Sequence, residues 1–441
     1  MAIPQQPDPI SPEEIQAAVS KLPDDLGLPR AEWADGYLHW DELRHRKPPH
    51  GFTPREWWVL LRMGRARFQK LCPLRDSTGR PFVYALPDRA QELLHRVDQN
   101  ASGSIQIPSE IMSPETRDRY IMSSLTEEAI RSSQMEGAST TRQVAKEMIW
   151  SGREPRTKGE WMILNNFRAM QEVQRLKADA LTPEIVFRLH RIATENTLGH
   201  PEQAGRFRLP TEAVRVEDHY GRVLHIPPPA DQLPQRLDEM CEFANYEFSG
   251  PFLHPVVRAI ILHFWLAYDH PFVDGNGRCA RALFYWSMLR RGYWLAEFLS
   301  ISEVLHRAPA QYLRAFLYTE TDQNDLTYFI LYHLDVLSKA IQDLHRYVQK
   351  KARDAQEFER TLRHTRSLNH RQRALLAHAL RHPGFSYSVE SHRRSHNVVY
   401  QTARTDLLGL KKLGLLELHK VGRKMHFRPP SGLENRLMRR R

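Results

Sequence analysis

The most apolar stretch of this chain, AIILHFWLAY (Ala259–Tyr268), runs almost directly into HPFVDGNGRCAR (His270–Arg281). The apolar run is ten residues long, against the about 20 that a bilayer span requires. It therefore belongs inside the protein, and Pro255 at its head with the apolar spacing beyond it predicts a helix over 255–269. Gly275 and Gly277 interrupt that pattern, and helical spacing resumes over 278–291. A histidine, an acid, two glycines and two arginines thus fall in the turn between two helices and the first residues of the second.

That turn holds the parts for chemistry on a phosphate-bearing ligand. A helix beginning near Asn276 offers unpaired N–H groups at the positive end of its dipole, a ready anion site. Gly275 and Gly277 let the backbone approach a ligand with no Cβ in the way. Arg278 and Arg281, at i and i+3, share one helix face, and guanidinium forks suit phosphate oxygens. Asp274 beside phosphates suits Mg2+, which binds through few carboxylates and the phosphates themselves. His270 titrates near neutrality and can take a proton from an attacking hydroxyl. GNGRCA also fits the loose dinucleotide pattern GxGxxA, but HPFVD before it is no β-branched strand. No GxxxxGK[ST] occurs, so a P-loop is absent.

HPFVDGNGR resembles the signature of Fic-domain proteins, HPFx[D/E]GN[G/K]R, at every specified position, and Arg281 stands where that family has its second arginine. HPVVRAIILHFWLAYDHPFVDGNGR is similar to the family's helix leading into the loop. The GRFR segment (Gly205–Arg208) and the alternating pattern ending in PPP resemble the family's flap, and the similarity covers roughly 113–344. The resemblance implies a helical core with a β-hairpin flap at about 211–227, and an activity: protein AMPylation, the transfer of AMP from ATP to a Ser, Thr or Tyr hydroxyl of a target protein. Under it His270 is the general base and Asp274 coordinates Mg2+. Gly275, Asn276 and Gly277 cradle the α- and β-phosphates, Arg278 binds phosphate oxygens and Arg281 the γ-phosphate. Phe272 is a core anchor, and the flap docks the target segment by strand addition. Tyr312, in AQYLRAF, resembles a family tyrosine near the nucleotide, although the segment after it departs in length.

SSQMEG (Ser132–Gly137) is the second informative string. It fits the family's inhibitory pattern [S/T]xxxE[G/N] at Ser132, Glu136 and Gly137. A glutamate reaching Arg281 would form a charge-assisted pair with it and withdraw it from the γ-phosphate. The resemblance is thus to the class whose inhibitory helix, here about 120–137, precedes the core. A plain helix ending in an exposed glutamate before a Gly C-cap would look the same.

The chain reads as mainly α, in four parts: an N-terminal helical arm (1–110), the Fic-like domain (111–350), a winged helix-turn-helix (365–430) and a basic tail (431–441). Residues 1–50 are rich in proline and tryptophan and suggest an irregular arm. Helical spacing is expected over 53–70, from Ser113 with a second start at Ser124, and over 141–150, 158–177, 183–196, 234–248, 301–319 and 326–358. PFVYALP suggests a short strand, and the alternation around Tyr220-Gly221 a hairpin. Three scattered cysteines without CxxC spacing argue against a disulfide framework or a structural zinc site and fit a reducing, cytoplasmic setting. The polar start of the chain shows no signal peptide, and no membrane partner is expected.

The net charge of +11 is unevenly placed: residues 351–441 hold 21 Lys and Arg against 7 Asp and Glu. A concentrated basic region is the electrostatic footprint of nucleic-acid binding. LNHRQRALLAHAL, SVESHRRSHN and VVYQTARTDLLGLKKLGLL read as three helices, and two strands around Gly422 complete a winged helix. Tyr400, Gln401, Arg404 and Lys411 on the third helix, with Arg423 and Lys424 at the wing tip, suit bases and phosphates of DNA. Other readings stand beside the leading one. The same site suits AMP removal or another nucleotidyl or phosphoryl transfer. The chain also suits a DNA-binding regulator with a nucleotide-sensing core, and the winged helix a docking or homodimer module.

Overall fold

The computed structural model describes residues 3–23, 36–101, 114–218, 220–245, 252–364, 368–381, 385–421, 424–430, 432–433 and 436. The chain divides into two compact units, Met1–Ile105 with Ser123–Gln342, and Gln106–Met122 with Asp343–Arg441. Both are mostly helical.

The first unit begins with α1 (Pro12–Ser20), α2 (Trp40–Leu43) and α3 (Pro54–Ala66). The first and third start on capping boxes, Ser11 with Glu14 and Thr53 with Glu56. The arm expected as irregular over 1–50 is helical in part: ISPEE carries a helix-start signature, and α1 packs on α3 around Ala18, Trp57, Trp58 and Leu61. Arg65, fully buried, stacks over the Tyr37 ring at 3.8 Å and donates to Leu38 O and Tyr328 Oη, each at 2.9 Å. The N-terminal region is not purely helical either. β1 (Lys70–Arg75), which the residue pattern does not announce, pairs antiparallel with β2 (Pro81–Tyr84), and α4 (Asp88–Ala101) comes after them.

Next come α5 (Pro114–Met135), α6 (Arg142–Ser151), α7 (Lys158–Arg175) and α8 (Pro183–Thr194). α5 is continuous, so no second start occurs at Ser124, whose hydroxyl instead donates to Phe298 O at 2.8 Å. The expected start at Ser113 lies outside the described residues. β3 (Val216–Glu217) and β4 (Val223–His225) form the antiparallel hairpin, and Asp218 closes its turn by accepting from the backbone N–H groups of Tyr220 and Arg222. The unit continues with α9 (Leu233–Asn245), α10 (Pro255–Asp269), α11 (Asn276–Arg290), α12 (Ile301–Arg307), α13 (Pro309–Thr321) and α14 (Thr327–His364), which passes into the second unit at Asp343. The single helix expected over 301–319 is broken because Pro309 takes the first position of α13. α10 is buried on every side from Val256 to Leu266, as an all-round apolar helix must be, and α11 packs along it.

The second unit contains α15 (His370–Arg381), β5 (Tyr387–Ser388), α16 (Val389–His396), α17 (Tyr400–Lys412), β6 (Glu417–Val421) and β7 (Lys424–Arg428). The strands form an antiparallel sheet in the order β5-β7-β6. Phe427 faces Tyr387 on one side and Leu418 on the other, and joins Leu376, Leu407 and Leu410 in a separate core. Among the described residues, no helix of the chain is long and apolar enough to cross a membrane.

Candidate active site

α10 ends at His270, which adopts a left-handed conformation (φ 46°, ψ 55°), a strained one for a side chain of this size. Its N–H caps the helix by donating to Leu266 O at 3.0 Å. Arg208 holds this corner in place. Its Nε donates to His270 O and its backbone N–H to Pro271 O, both at 2.9 Å, and a third bond reaches Pro228 O. One arginine of the GRFR segment thereby ties the histidine to the exit of the hairpin.

The His270 ring lies 3.2 Å from Ala267 O through Nδ1. A carbonyl only accepts, so Nδ1 carries the proton and Nε2 keeps its lone pair. Burial, with some help from nearby His225 and Arg208, pushes the imidazole pKa down to about 4. His270 is a neutral base at physiological pH. His225, on β4, has the opposite setting. Burial opposes its charge, but Glu320 at 2.8 Å from Nδ1 raises its pKa overall, and Nε2 donates to Tyr268 O at 2.7 Å.

The loop after His270 is braced from within. Asn276 folds its amide back onto Phe272, accepting from its N–H at 3.0 Å and donating to its carbonyl at 2.8 Å. The Asn276 side chain is thus committed to the loop, leaving its backbone N–H for a ligand. Gly275 is the N-cap of α11 with φ 85°, and a Cβ there would lie 2.7 Å from Thr194 Cγ2. Only glycine meets both demands. The first bond of α11 runs from Cys279 N–H to Gly275 O, and the N–H groups of its first turn have no helix partner. Arg278 is buried, with Nη1 on Ala193 O at 2.5 Å and Nη2 3.5 Å from Asp274 Oδ1. It braces Asp274 and the end of α8 through these two nitrogens. Asp274 also accepts from Gly275 N–H at 2.5 Å.

Arg281 is equally buried, and its Nε and Nη2 are engaged. Its Nε donates to Ser132 Oγ at 2.8 Å and its Nη2 to Ser132 O at 3.0 Å and to Glu136 Oε1 at 2.8 Å. The Glu136 carboxylate sits directly over Gly277, where a Cβ would come 2.1 Å from Oε1. Glu136 comes directly after α5 as its cap residue. Gly137 turns left-handed (φ 90°), with its N–H on Gln134 O and that of Ala138 on Ser133 O, a Schellman closure. The C-cap and the Arg281 partner are therefore one residue. Tyr312 lies beside Arg281, its hydroxyl 2.9 Å from His263 Nε2 and its pKa pushed by burial up to about 12.

Three contributors have no recognisable role in the sequence. His190, on α8, accepts from Gly205 N–H at Nδ1 (2.8 Å), donates to Asp274 O through Nε2 (2.9 Å) and stacks on Phe272 at 3.8 Å. Glu128 anchors α5, accepting from Tyr285 Oη, Ser300 Oγ and both the N–H and hydroxyl of Ser302. Arg208 is visible as part of GRFR, but its task is not. His190 and Glu128 sit in plain amphipathic helices, where no local signal separates them from filler. In the second unit Tyr400, Gln401, Arg404 and Lys411 are exposed on α17. Lys424 lies in β7 and Arg423 outside the described residues.

A buried helix pair with a neutral histidine, an anion-ready helix start and a glutamate-locked arginine describes a site for phosphate-group chemistry. Residues 180–288 match the family model described as Fic/DOC family. The Protein adenylyltransferase Fic of Nematostella vectensis is 27% identical over 208 residues, 46% of this chain and 46% of that protein. Its counterpart in Drosophila willistoni is 35% identical over 123 residues, 27% of this chain and 22% of the relative. The chain thus spans less than half the length of these relatives. A Fic family protein of known structure from Desulfovibrio desulfuricans G20 shares the fold at a TM-score of 0.52, with 18% identity over 79% of this chain and 97% of that one.

Proposed function

We propose that this chain is a self-inhibited protein adenylyltransferase, transferring AMP from ATP to a hydroxyl side chain of a target protein. The observation that carries this reading is the Glu136 carboxylate seated over Gly277 and paired with Arg281. An acid stands at the start of α11 where a phosphate would bind, so the site is built for an anion and guarded by one. The match of residues 180–288 to the Fic/DOC family and the names of the curated relatives support the same reading.

The chemistry rests on the geometry. The target hydroxyl gives its proton to His270 Nε2, and its oxygen attacks the α-phosphorus. The bond from that phosphorus to the bridging oxygen breaks, and pyrophosphate leaves. The N–H groups of Asn276 and Gly277 hold phosphate oxygens, and Arg281 takes the γ-phosphate once Glu136 lets go. Arg278 orients Asp274. Its Nε is buried without a partner, a donor open to an oxygen. Asp274 fits Mg2+: its side chain is 41% exposed, and among the described residues no cluster of three or more His, Cys, Asp or Glu surrounds it. A cation there would complete its shell from phosphates and water, as Mg2+ does. When bound, Mg2+ would neutralise charge on the phosphates.

The brake is part of the core. Glu128, with its four hydrogen bonds, and Ser133, donating to Met162 O at 3.0 Å, hold the C-terminal half of α5 in place. Release therefore needs only the Glu136 side chain to turn away. The hairpin, with Tyr220 and Ile226 each 72% exposed, is where a target strand would dock.

The test is label transfer from ATP labelled at the α-phosphate, with Mg2+ and either the protein itself or a lysate as acceptor. Little signal is expected from wild type, strong signal from Glu136→Gly, and none from Glu136→Gly/His270→Ala. No transfer by any variant that binds ATP would sink adenylyl transfer and leave AMP removal or nucleotide sensing.

A further inference from the structure

The surface of the second unit obeys a different rule. α17 buries Ala403, Asp406, Leu407 and Leu410. Tyr400, Gln401, Arg404, Thr405, Lys411 and Lys412 are exposed. At 3.6 residues per turn these six fall within about 140° of arc, one continuous face. The only acid of the helix is turned inward. Asp406 accepts from Asn369 Nδ2 and Arg371 Nε, both at 2.7 Å, and pairs with His392 Nε2 at 3.2 Å. Gln372 Nε2 donates to its carbonyl at 3.0 Å. This buried network locks α17 against α15 and α16, and it removes negative charge from the exposed face. Among the described residues, Arg404, Lys411 and Lys412 have no ion-pair partner.

α16 ends on Asn397 in the left-handed region (φ 46°), with Val398 N–H on Arg393 O at 3.2 Å. A three-residue turn then launches α17, the arrangement of a helix-turn-helix. We propose that the exposed face of α17 enters the major groove of double-stranded DNA. Its 13 residues make a rod about 20 Å long, and a major groove about 12 Å wide admits such a helix. Arg404 has the fork for a guanine edge and Gln401 the amide for adenine, while Lys411 and Lys412 serve phosphates. Charge complementarity favours nucleic acid over protein. Residues 351–441 carry 21 basic against 7 acidic side chains, and large apolar exposure on this face is confined to Val399 and Tyr400 at its start. The proposal is independent of adenylyl transfer, and its test uses no ATP.

Full-length protein is titrated into a pool of fluorescent 30-base-pair duplexes between 50 and 200 mM salt, and binding is read by anisotropy. Wild type should bind with an affinity that falls steeply with salt. Arg404→Ala/Lys411→Ala/Lys412→Ala should lower the log–log slope by about 2–3 and weaken binding about tenfold or more at 100 mM. Gln401→Ala should relax sequence preference in a selection from the pool at nearly unchanged slope. All four positions are exposed, so an unchanged thermal melt is expected and checked. Absence of duplex binding by wild type at 50 mM salt, or a triple variant with the wild-type slope, overturns the proposal. So does a wild-type dimer, dissociated by the triple variant, that binds no duplex: the face would then be a protein interface.

Discussion

Arginine does opposite work in α11 and α17. In α11, Arg278 and Arg281 are each 1% exposed, and named oxygens of Ala193, Asp274, Ser132 and Glu136 meet all but Arg278 Nε of the donors described above. In α17, Arg404 and Lys411 face solvent while the helix's acid is buried. Taking a guanidinium out of water costs several kcal/mol unless its donors are met, so a buried arginine is tied to one arrangement. An exposed one contributes to a field that salt screens. The first kind of site is specific in shape and switched by moving a single partner. The second is specific only through what its neighbours on the helix can read.

The largest expected effect tests the buried site. In the Glu136→Gly background, His270→Ala should reduce AMP transfer by about 100- to 10,000-fold, the usual worth of a positioned base, in a label-transfer time course. The same background gives the pH signature. With the His270 pKa near 4, the base is deprotonated above that value. Activity should stay level from about pH 8 to about pH 5 and fall only below, whereas a free imidazole would already lose it near pH 6.5. A fall near 6.5 would mean that the ring is not desolvated as described.

Glu136→Gly itself comes next. Of the hydrogen bonds that hold Arg281, the one to the Glu136 carboxylate is worth about 1.5–3 kcal/mol, so removing it should raise transfer by about 10- to 100-fold, and Glu136→Asp should give less. His190→Gln is expected to cost about tenfold, the low end for a group that orients a ligand-holding residue. Because His190 holds the Asp274 carbonyl, the loss should show as a higher Mg2+ concentration for half-maximal activity. A loss independent of Mg2+ would make His190 a packing residue. The smallest effect is that of Arg404→Ala on stability. Arg404→Ala should shift the unfolding free energy by less than about 0.5 kcal/mol, whereas Asp406→Ala should cost about 2–3 kcal/mol through its lost charged hydrogen bonds. Equal costs would erase the contrast between the exposed and inward faces of α17.

Much of the site is legible in the sequence because its parts are adjacent in the chain. His270, Asp274 and the two glycines lie within one turn, and local chemistry already dictates a helix end, a tight loop and a helix start. The bond from Arg278 to Ala193 O is not legible, because a guanidinium's direction depends on what lies beside it, here the end of α8. Pro309 marks a helix break that the apolar spacing across 301–319 conceals. ISPEE holds a capping box, but the surrounding prolines and tryptophans mask it.

By itself the sequence determined that helices flank the turn between α10 and α11, the composition of that turn, the concentration of basic residues in the last fifth of the chain, and the SxxxEG string at Ser132–Gly137. Those features depend on neighbours in the chain or on charge alone. Only the tertiary structure decided that Glu136 lies over Gly277, that Arg208 and His190 hold the loop, that Glu128 pins α5, and that Asp406 turns inward. Each of these joins residues far apart in sequence, and a buried polar group declares its role only through the partner that satisfies it.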